Sequence, residues 1–330
     1  MTQSLLRGGK QLLGFVLSLL VLSLLVFYAA RLAPGDPLAS YYGSRVEKLS
    51  PEERAAAEER LGLNDPIHVQ YGRWLTNALH GDFGISYKYK APVTEVIAGR
   101  MGNTLLLGGV GFVLIFTLAP LLAILCVWYE GRWPDRLVEK LGTLVSCVPE
   151  FWLSLLLILV FSVTLRLLPS GGAYTVGHGG GWWDRAVHLV LPLTVVVSGH
   201  LWYYAYLLRS RLAEEVRADY MLLAKVKGLS RGQVLARHCL RGVLPSYLSL
   251  MAISVPHILG GTYIVETVFS YPGIGALVYE SARYQDYDLL TALCLLTGGT
   301  VMLCSMAAQA VNRRLDPRVR SGGEEAVLHV

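Results

Sequence analysis

Long stretches without a formal charge limit this sequence more than any other feature. Residues 11–30, 101–129, 186–208, 242–265 and 289–312 contain no Asp, Glu, Lys or Arg, and residues 141–165 contain only Glu150. About 20 apolar residues wound as a helix cross roughly 30 Å of hydrocarbon. In that medium an unpaired backbone amide is so costly that helices or closed barrels are the only spanning solutions. The pattern predicts an all-α integral membrane protein with six transmembrane helices. With 53% of its 330 residues hydrophobic and 16% charged, the chain lacks the charge to cover a soluble surface. The first apolar run is longer than the 7–15 residues of a signal-peptide core, and Tyr28-Ala29-Ala30 makes a poor cleavage site, so a retained helix is expected.

The basic residues orient the chain. The N-terminus, residues 130–140, residues 209–241 and the tail from Arg313 hold 2, 3, 8 and 4 Lys or Arg, while the alternate short loops hold few, Arg185 and Arg283 among them. The positive-inside rule then puts both termini and the basic insert in the cytoplasm. This divides the chain into an N-terminal segment with the first helix (1–33), an external loop domain (34–100), a multi-span core (101–312) carrying the insert 209–241, and a cytoplasmic tail (313–330). Residues 31–100 balance nine basic against nine acidic residues and read as folded. Ser50-Pro51-Glu52-Glu53 is a capping box with proline at the first helical position, and Gly62 closes that helix. After Pro66, a second helix places Ile67, Tyr71, Trp74, Leu75 and Ala78 on one face.

The five cysteines (Cys126, Cys147, Cys239, Cys294 and Cys304) are scattered and form no C-x-x-C pair, so neither a disulfide framework nor a metal site is expected. The sequence also lacks G-x-x-x-x-G-K-[ST] and H-E-x-x-H, and no nucleophile elbow is expected. No catalytic residue is therefore assigned and no cofactor is expected on this chain.

The insert is more structured than a basic loop needs to be. Val216, Tyr220, Leu223 and Lys227 fall on one helical face, Gly228 is a natural helix stop, and Ser230-Arg231-Gly232-Gln233 caps a second helix. Leu235, Cys239 and Val243 line that helix as it re-enters the membrane near Leu244-Pro245. Three readings compete: a loop held to anionic lipid headgroups, a DNA-binding helix-turn-helix, and a docking element for a cytoplasmic partner. The corner and the caps favour docking, and attachment to two spans argues against nucleic acid.

Tyr220, Ala224, Lys227-Gly228-Leu229 and Leu244-Pro245 stand where importer permeases of ATP-binding-cassette transporters carry their coupling loop. The insert resembles that signature in the dipeptide, oligopeptide and nickel branch, although Leu222 and Leu223 replace the first two residues of the generic "EAA". "RLAPGDP", "LGLNDPIHVQYGRWL", "HGDFGISYKYK", "VPEFW", "GGTYIVETVFSYPGIGALV" and "LDPRVR" are similar to the same branch and run in its order along nearly the whole chain. The resemblance implies a multi-pass subunit of the bacterial inner membrane. It implies as partners a second homologous permease, two ATPase subunits that use ATP and magnesium, and an extracytoplasmic substrate-binding protein. Tyr220, Ala224, Lys227, Gly228, Leu229 and Pro245 would carry ATPase coupling.

Intramembrane polar groups are candidates for the translocation pathway, weighed against burial between helices. They are Glu150, after Pro149; His200; His257, flanked by Pro256 and Gly260-Gly261; and Glu266, which also suits bracing of the "YPGIG" turn. For cargo, "VQYGRWL" and "PEFWLSLLLILVFSV" look closer to nickel or metal-chelate permeases, and "GDFGISYKYK" closer to oligopeptide ones. The wording leans narrowly to nickel or a metal chelate, with a di- or oligopeptide importer as the alternative. A secondary transporter is a more distant one, since neither inverted repeats nor discontinuous helices are evident.

Overall fold

A computed structural model of the protein describes residues 2–32, 36, 38, 42–177 and 181–315; within the helices, a few side chains, Tyr220 and His257 among them, lie outside what is described. Helices dominate. They are α1 (Thr2–Leu32), α2 (Pro51–Arg60), α3 (Ile67–Leu79), α4 (Val93–Trp128), α5 (Trp133–Ser146), α6 (Glu150–Leu157), α7 (Trp182–Arg217), α8 (Asp219–Val226), α9 (Arg231–Val234), α10 (Leu240–Val268), α11 (Ile274–Arg283) and α12 (Tyr287–Leu315). One small antiparallel ribbon, β1 (Ile85–Ser86) with β2 (Ala91–Pro92), departs from the all-α expectation.

Four helices are long and apolar enough to cross a bilayer: Leu12–Leu32, Val93–Trp128, Trp182–Arg217 and Tyr287–Ala310. The expected span over 141–165 is not one helix. Trp133–Ser146 and Glu150–Thr164 meet at a bend of 95°. Pro149 is extended, with φ −62 and ψ 138, and it lacks the N–H that a continuing helix would need. Beyond α6 the helix continues as a π-turn segment, Ile158–Thr164. The expected span at 242–265 lies within the uninterrupted helix α10, whose described apolar stretch is Leu240–Val255. Among the described residues the structure therefore offers four crossings, or five if the bent pair is one, against the six expected.

The chain divides into two compact units. One combines residues 1–104 and 272–302. In it Ser50 and Glu53 complete the predicted reciprocal capping box, with Pro51 in the first turn. On α3, Trp74 is buried and Ile67, Tyr71, Leu75 and Ala78 are half-buried, as the helical period predicts. This face packs on α1: the Phe27 ring lies 5.4 Å from Tyr71 and 5.9 Å from Trp74, and the Ser23 and Tyr71 hydroxyls are 2.8 Å apart. The ribbon is fastened to α11 and the turn after it. Lys88 Nζ donates to Glu280 at 2.6 Å, Tyr89 also donates to Glu280, and Ser86 donates to Asp286.

The other unit holds residues 105–271 and 303–330. Its core gathers Leu107, Ile115, Phe116 and Ala119 from α4 and Val195, Val196, Tyr204 and Leu208 from α7. Cys239, Val243, Ile258 and Val265 join them from the segment leading into and along α10. Small residues set the helix spacing. A Cβ on Gly142 of α5 would come within 2.9 Å of the Trp202 ring on α7, and one on Gly242 within 2.9 Å of Glu215.

Candidate functional site

The insert is built by two interruptions. Helix α7 runs through Arg217, so the first nine residues of the expected insert prolong the helix before it. Ala218 is extended, with ψ 145, and α8 starts at Asp219. This break separates Val216 from Tyr220, which therefore do not share the continuous helical face expected from their spacing. One side of α8 is fastened inward: Met221 and Ala224 are buried with Val234, Leu235 and Cys239. The other side is bare, with Leu223 58% and Val226 83% exposed and Lys227 exposed beside them.

Gly228 ends α8 as predicted. Its φ of +79 is the left-handed conformation that glycine adopts without a Cβ clash. Leu229 N–H donates to the Ala224 carbonyl at 3.3 Å and Lys227 N–H to the Leu223 carbonyl at 3.0 Å, so the glycine closes a Schellman-type end. Ser230 N–H donates to Gln233 Oε1 at 3.0 Å and Gln233 N–H to Ser230 Oγ at 3.4 Å, completing the second capping box. After α9, a π-turn over Leu235–Cys239 leads directly into α10. Leu235, Cys239 and Val243 are all buried, as the sequence pattern requires. Pro245 lies inside α10.

Two of the polar candidates come together. Glu150, at the first turn of α6, and His200, on α7, face each other with Oε1 and Nδ1 4.0 Å apart. His200 Nδ1 also lies 3.0 Å from the Val196 carbonyl one turn back. Gly199 makes room for this pair, since a Cβ there would overlap the Glu150 carboxylate. Glu266 stands elsewhere, fully buried, with Thr262 Oγ1 donating to it at 3.3 Å. Its backbone carbonyl accepts from Tyr271 N–H at 2.7 Å, which ties α10 to the turn that follows. The His257 and Tyr220 side chains lie outside the described residues.

Sequence reasoning missed the clasp beside the insert. Arg209 of α7 donates twice to Asp135 of α5, at 2.9 Å each, and Gly131 N–H adds a third bond at 3.0 Å. Asp135 is 2% exposed. Arg217 and Glu130 pair at 2.5 Å further along the same helix. An acid directly after Pro134, in the first turn of an amphipathic segment, was the available signal. Next to the clasp a cavity of about 460 Å³ is lined by Cys126, Glu139, Gly142, Gly199, Trp202 and Arg209 among others.

Helix α8 thus presents Leu223, Val226 and Lys227 outward beside a packed core of membrane-length helices. Residues 119–321 match the family described as binding-protein-dependent transport system inner membrane component, and residues 1–108 match its N-terminal region. The chain belongs to this family. It is 32% identical over 302 residues to the oligopeptide transport system permease protein AppB of Bacillus subtilis, covering 91% of this chain and 95% of that one. It is also 32% identical over 311 residues to the glutathione transport system permease protein GsiC of Salmonella paratyphi A, covering 94% and 97%. Its fold matches a chain of the MetNI methionine ABC transporter with a TM-score of 0.54 at 16% identity, over 68% of this chain and 97% of that one. The protein is an ABC importer permease, a multi-pass subunit of the plasma membrane.

Proposed function

We propose that this permease is one of two homologous membrane subunits of an importer for peptides, with glutathione-sized and longer oligopeptides as the cargo class. Support for the cargo comes from the relatives, which are named for oligopeptide and glutathione transport. Those names favour the peptide alternative and give the narrow preference for nickel no support. In this reading the permease has six spans with both ends in the cytoplasm. It receives cargo from an external binding protein and is driven by two ATPase partners that bind ATP and magnesium, while it carries no cofactor of its own.

The observation that carries the coupling role is the two-sidedness of α8, with Met221 and Ala224 fixed in the core and Leu223, Val226 and Lys227 offered outward. Burying Leu223 and Val226 against a partner would contribute about 3 kcal/mol. A buried polar or charged side chain in that contact would more than cancel the gain. Ala224 acts from within, as the small residue that lets α8 lie close to its own core. The pair Glu150–His200 is the pathway element, because two ionisable groups brought together within the membrane mark a polar route.

The test uses the assembled complex in lipid nanodiscs and proteoliposomes. Radiolabelled di- and oligopeptides and glutathione should enter in an ATP-dependent manner when the binding protein is present, and nickel should not. Uptake of nickel without peptide would overturn the cargo assignment. Uptake driven by a proton gradient without ATP would favour the secondary-transporter reading. Leu223→Asp or Val226→Asp should release the ATPase subunits during purification; full retention with normal stimulated hydrolysis would remove the coupling role from α8.

A further inference from the structure

The unit formed by residues 1–104 and 272–302 contains a cavity of about 130 Å³, lined by Arg31, Gln70, Trp74, Asn77, Asp82 and Asp288 among others. Its wall is unusual in what it leaves unpaired. Arg31 Nε and Nη1, Trp74 Nε1 and Gln70 Oε1 are buried without a protein partner. Such atoms are rare in folded proteins, and each is normally answered by water or a ligand. The Gln70 amide is oriented by its other end, where Nε2 donates to the carbonyls of Leu63 at 3.2 Å and Asp65 at 2.6 Å. The Arg31 guanidinium is held 4.4 Å from the Tyr287 ring and 5.2 Å from Phe27, so it is fixed in place while two of its nitrogens stay free.

Charge narrows the occupant. Arg73, also in the wall, is paired with Asp65 at 2.8 Å. That leaves the Arg31 cation sharing the wall with Asp82 and Asp288. A simple anion would meet those two carboxylates, and a simple cation would leave the Arg31 and Trp74 donors unanswered. A molecule with both poles answers both sides. By volume the cavity holds about four waters at ~30 Å³ each, or one molecule the size of a small amino acid.

We propose that this cavity binds a small α-amino-acid zwitterion, its carboxylate accepting from the free Arg31 and Trp74 N–H groups and its ammonium facing Gln70 Oε1 and Asp82. The site lies in the unit that includes the loop between α1 and α4 and shares no residue with α8 or with the pair Glu150–His200. It does not depend on peptides being the transported cargo.

The experiment is equilibrium dialysis of radiolabelled glycine against the purified complex in nanodiscs, without the binding protein. One saturable glycine site per permease is expected, with acetate and methylamine, each lacking one pole, at least about tenfold weaker. Trp74→Phe removes one donor and keeps the ring. Arg31→Lys keeps the charge and removes both free guanidinium nitrogens. Trp74→Phe should weaken glycine binding about tenfold, the size expected for one lost hydrogen bond to a buried group, and Arg31→Lys by at least that much, with subunit assembly and ATP hydrolysis unchanged. No saturable glycine binding to the unmodified complex means the cavity is simply water-filled and overturns the proposal. Acetate binding as tightly as glycine, or glycine binding that both variants leave intact, overturns it equally.

Discussion

Two carboxylates show how much one residue decides in this chain. Asp135 is nearly fully buried and makes three hydrogen bonds, two of them to the part-exposed Arg209. Removing one partner of a buried pair strands the other charge, although exposure of the arginine moderates the penalty. Asp135→Ala should lower stability by about 2 kcal/mol, read as a drop in melting temperature of the complex. Arg209→Ala should cost less, and the double variant should show a clear coupling term; strict additivity would dissolve the clasp. At Glu280, burial pushes the carboxyl up, but the Lys88 ammonium and the Tyr89 hydroxyl outweigh it and hold it below its ordinary value of 4.5. A depressed carboxylate contributes stability above the unfolded-state pKa and loses it as pH falls through the folded-state pKa. The ribbon at 85–92 should therefore lose amide-exchange protection, measured against the intrinsic rate at each pH, as pH drops below about 4.5, and Glu280→Gln should abolish that dependence. Asp286 acts in the opposite sense: burial raises its pKa despite the Ser86 hydroxyl, so its term destabilises as pH rises.

At the scale of elements, what could be read in advance was what local chemistry dictates. Both capping boxes, the buried face of α3, the glycine end of α8 and the buried Leu235, Cys239 and Val243 follow from side chains acting within a few residues of themselves. The failures share a cause. Residues 141–165 are so uniformly apolar that composition suggested one span, while the backbone constraint of Pro149 decided the bend. The close pairing of α5 with α7 was invisible, because it depends on Gly142 meeting Trp202 from far along the sequence. Gly142→Leu should wedge the helices apart at a cost of about 1–3 kcal/mol, visible in thermal unfolding, and Trp202→Ala should restore part of it. No recovery in the double variant would mean that the contact does not set the spacing.

For the whole molecule, the distribution of Lys and Arg remains the strongest statement about sidedness, and it can be tested directly. In a cysteine-free background, Cys introduced at Ser50 should react with membrane-impermeant thiol reagents in intact cells, and Cys introduced at Ser230 should not; equal labelling would end the both-ends-inside topology. Cargo was the least legible property, because the sequence wording pointed two ways. The π-turn between α9 and α10 bears on how such a chain can change through descent. Its five residues, Leu235–Cys239, carry a looser winding than the helix they feed. Deleting a single codon there would let ordinary α-helical winding close the gap, and the helix would survive. Because the looser winding already absorbs the extra residue, the insert before it would keep nearly its present direction about the axis. Lineages could thus gain or lose one residue here in one genetic step while the insert keeps its aim.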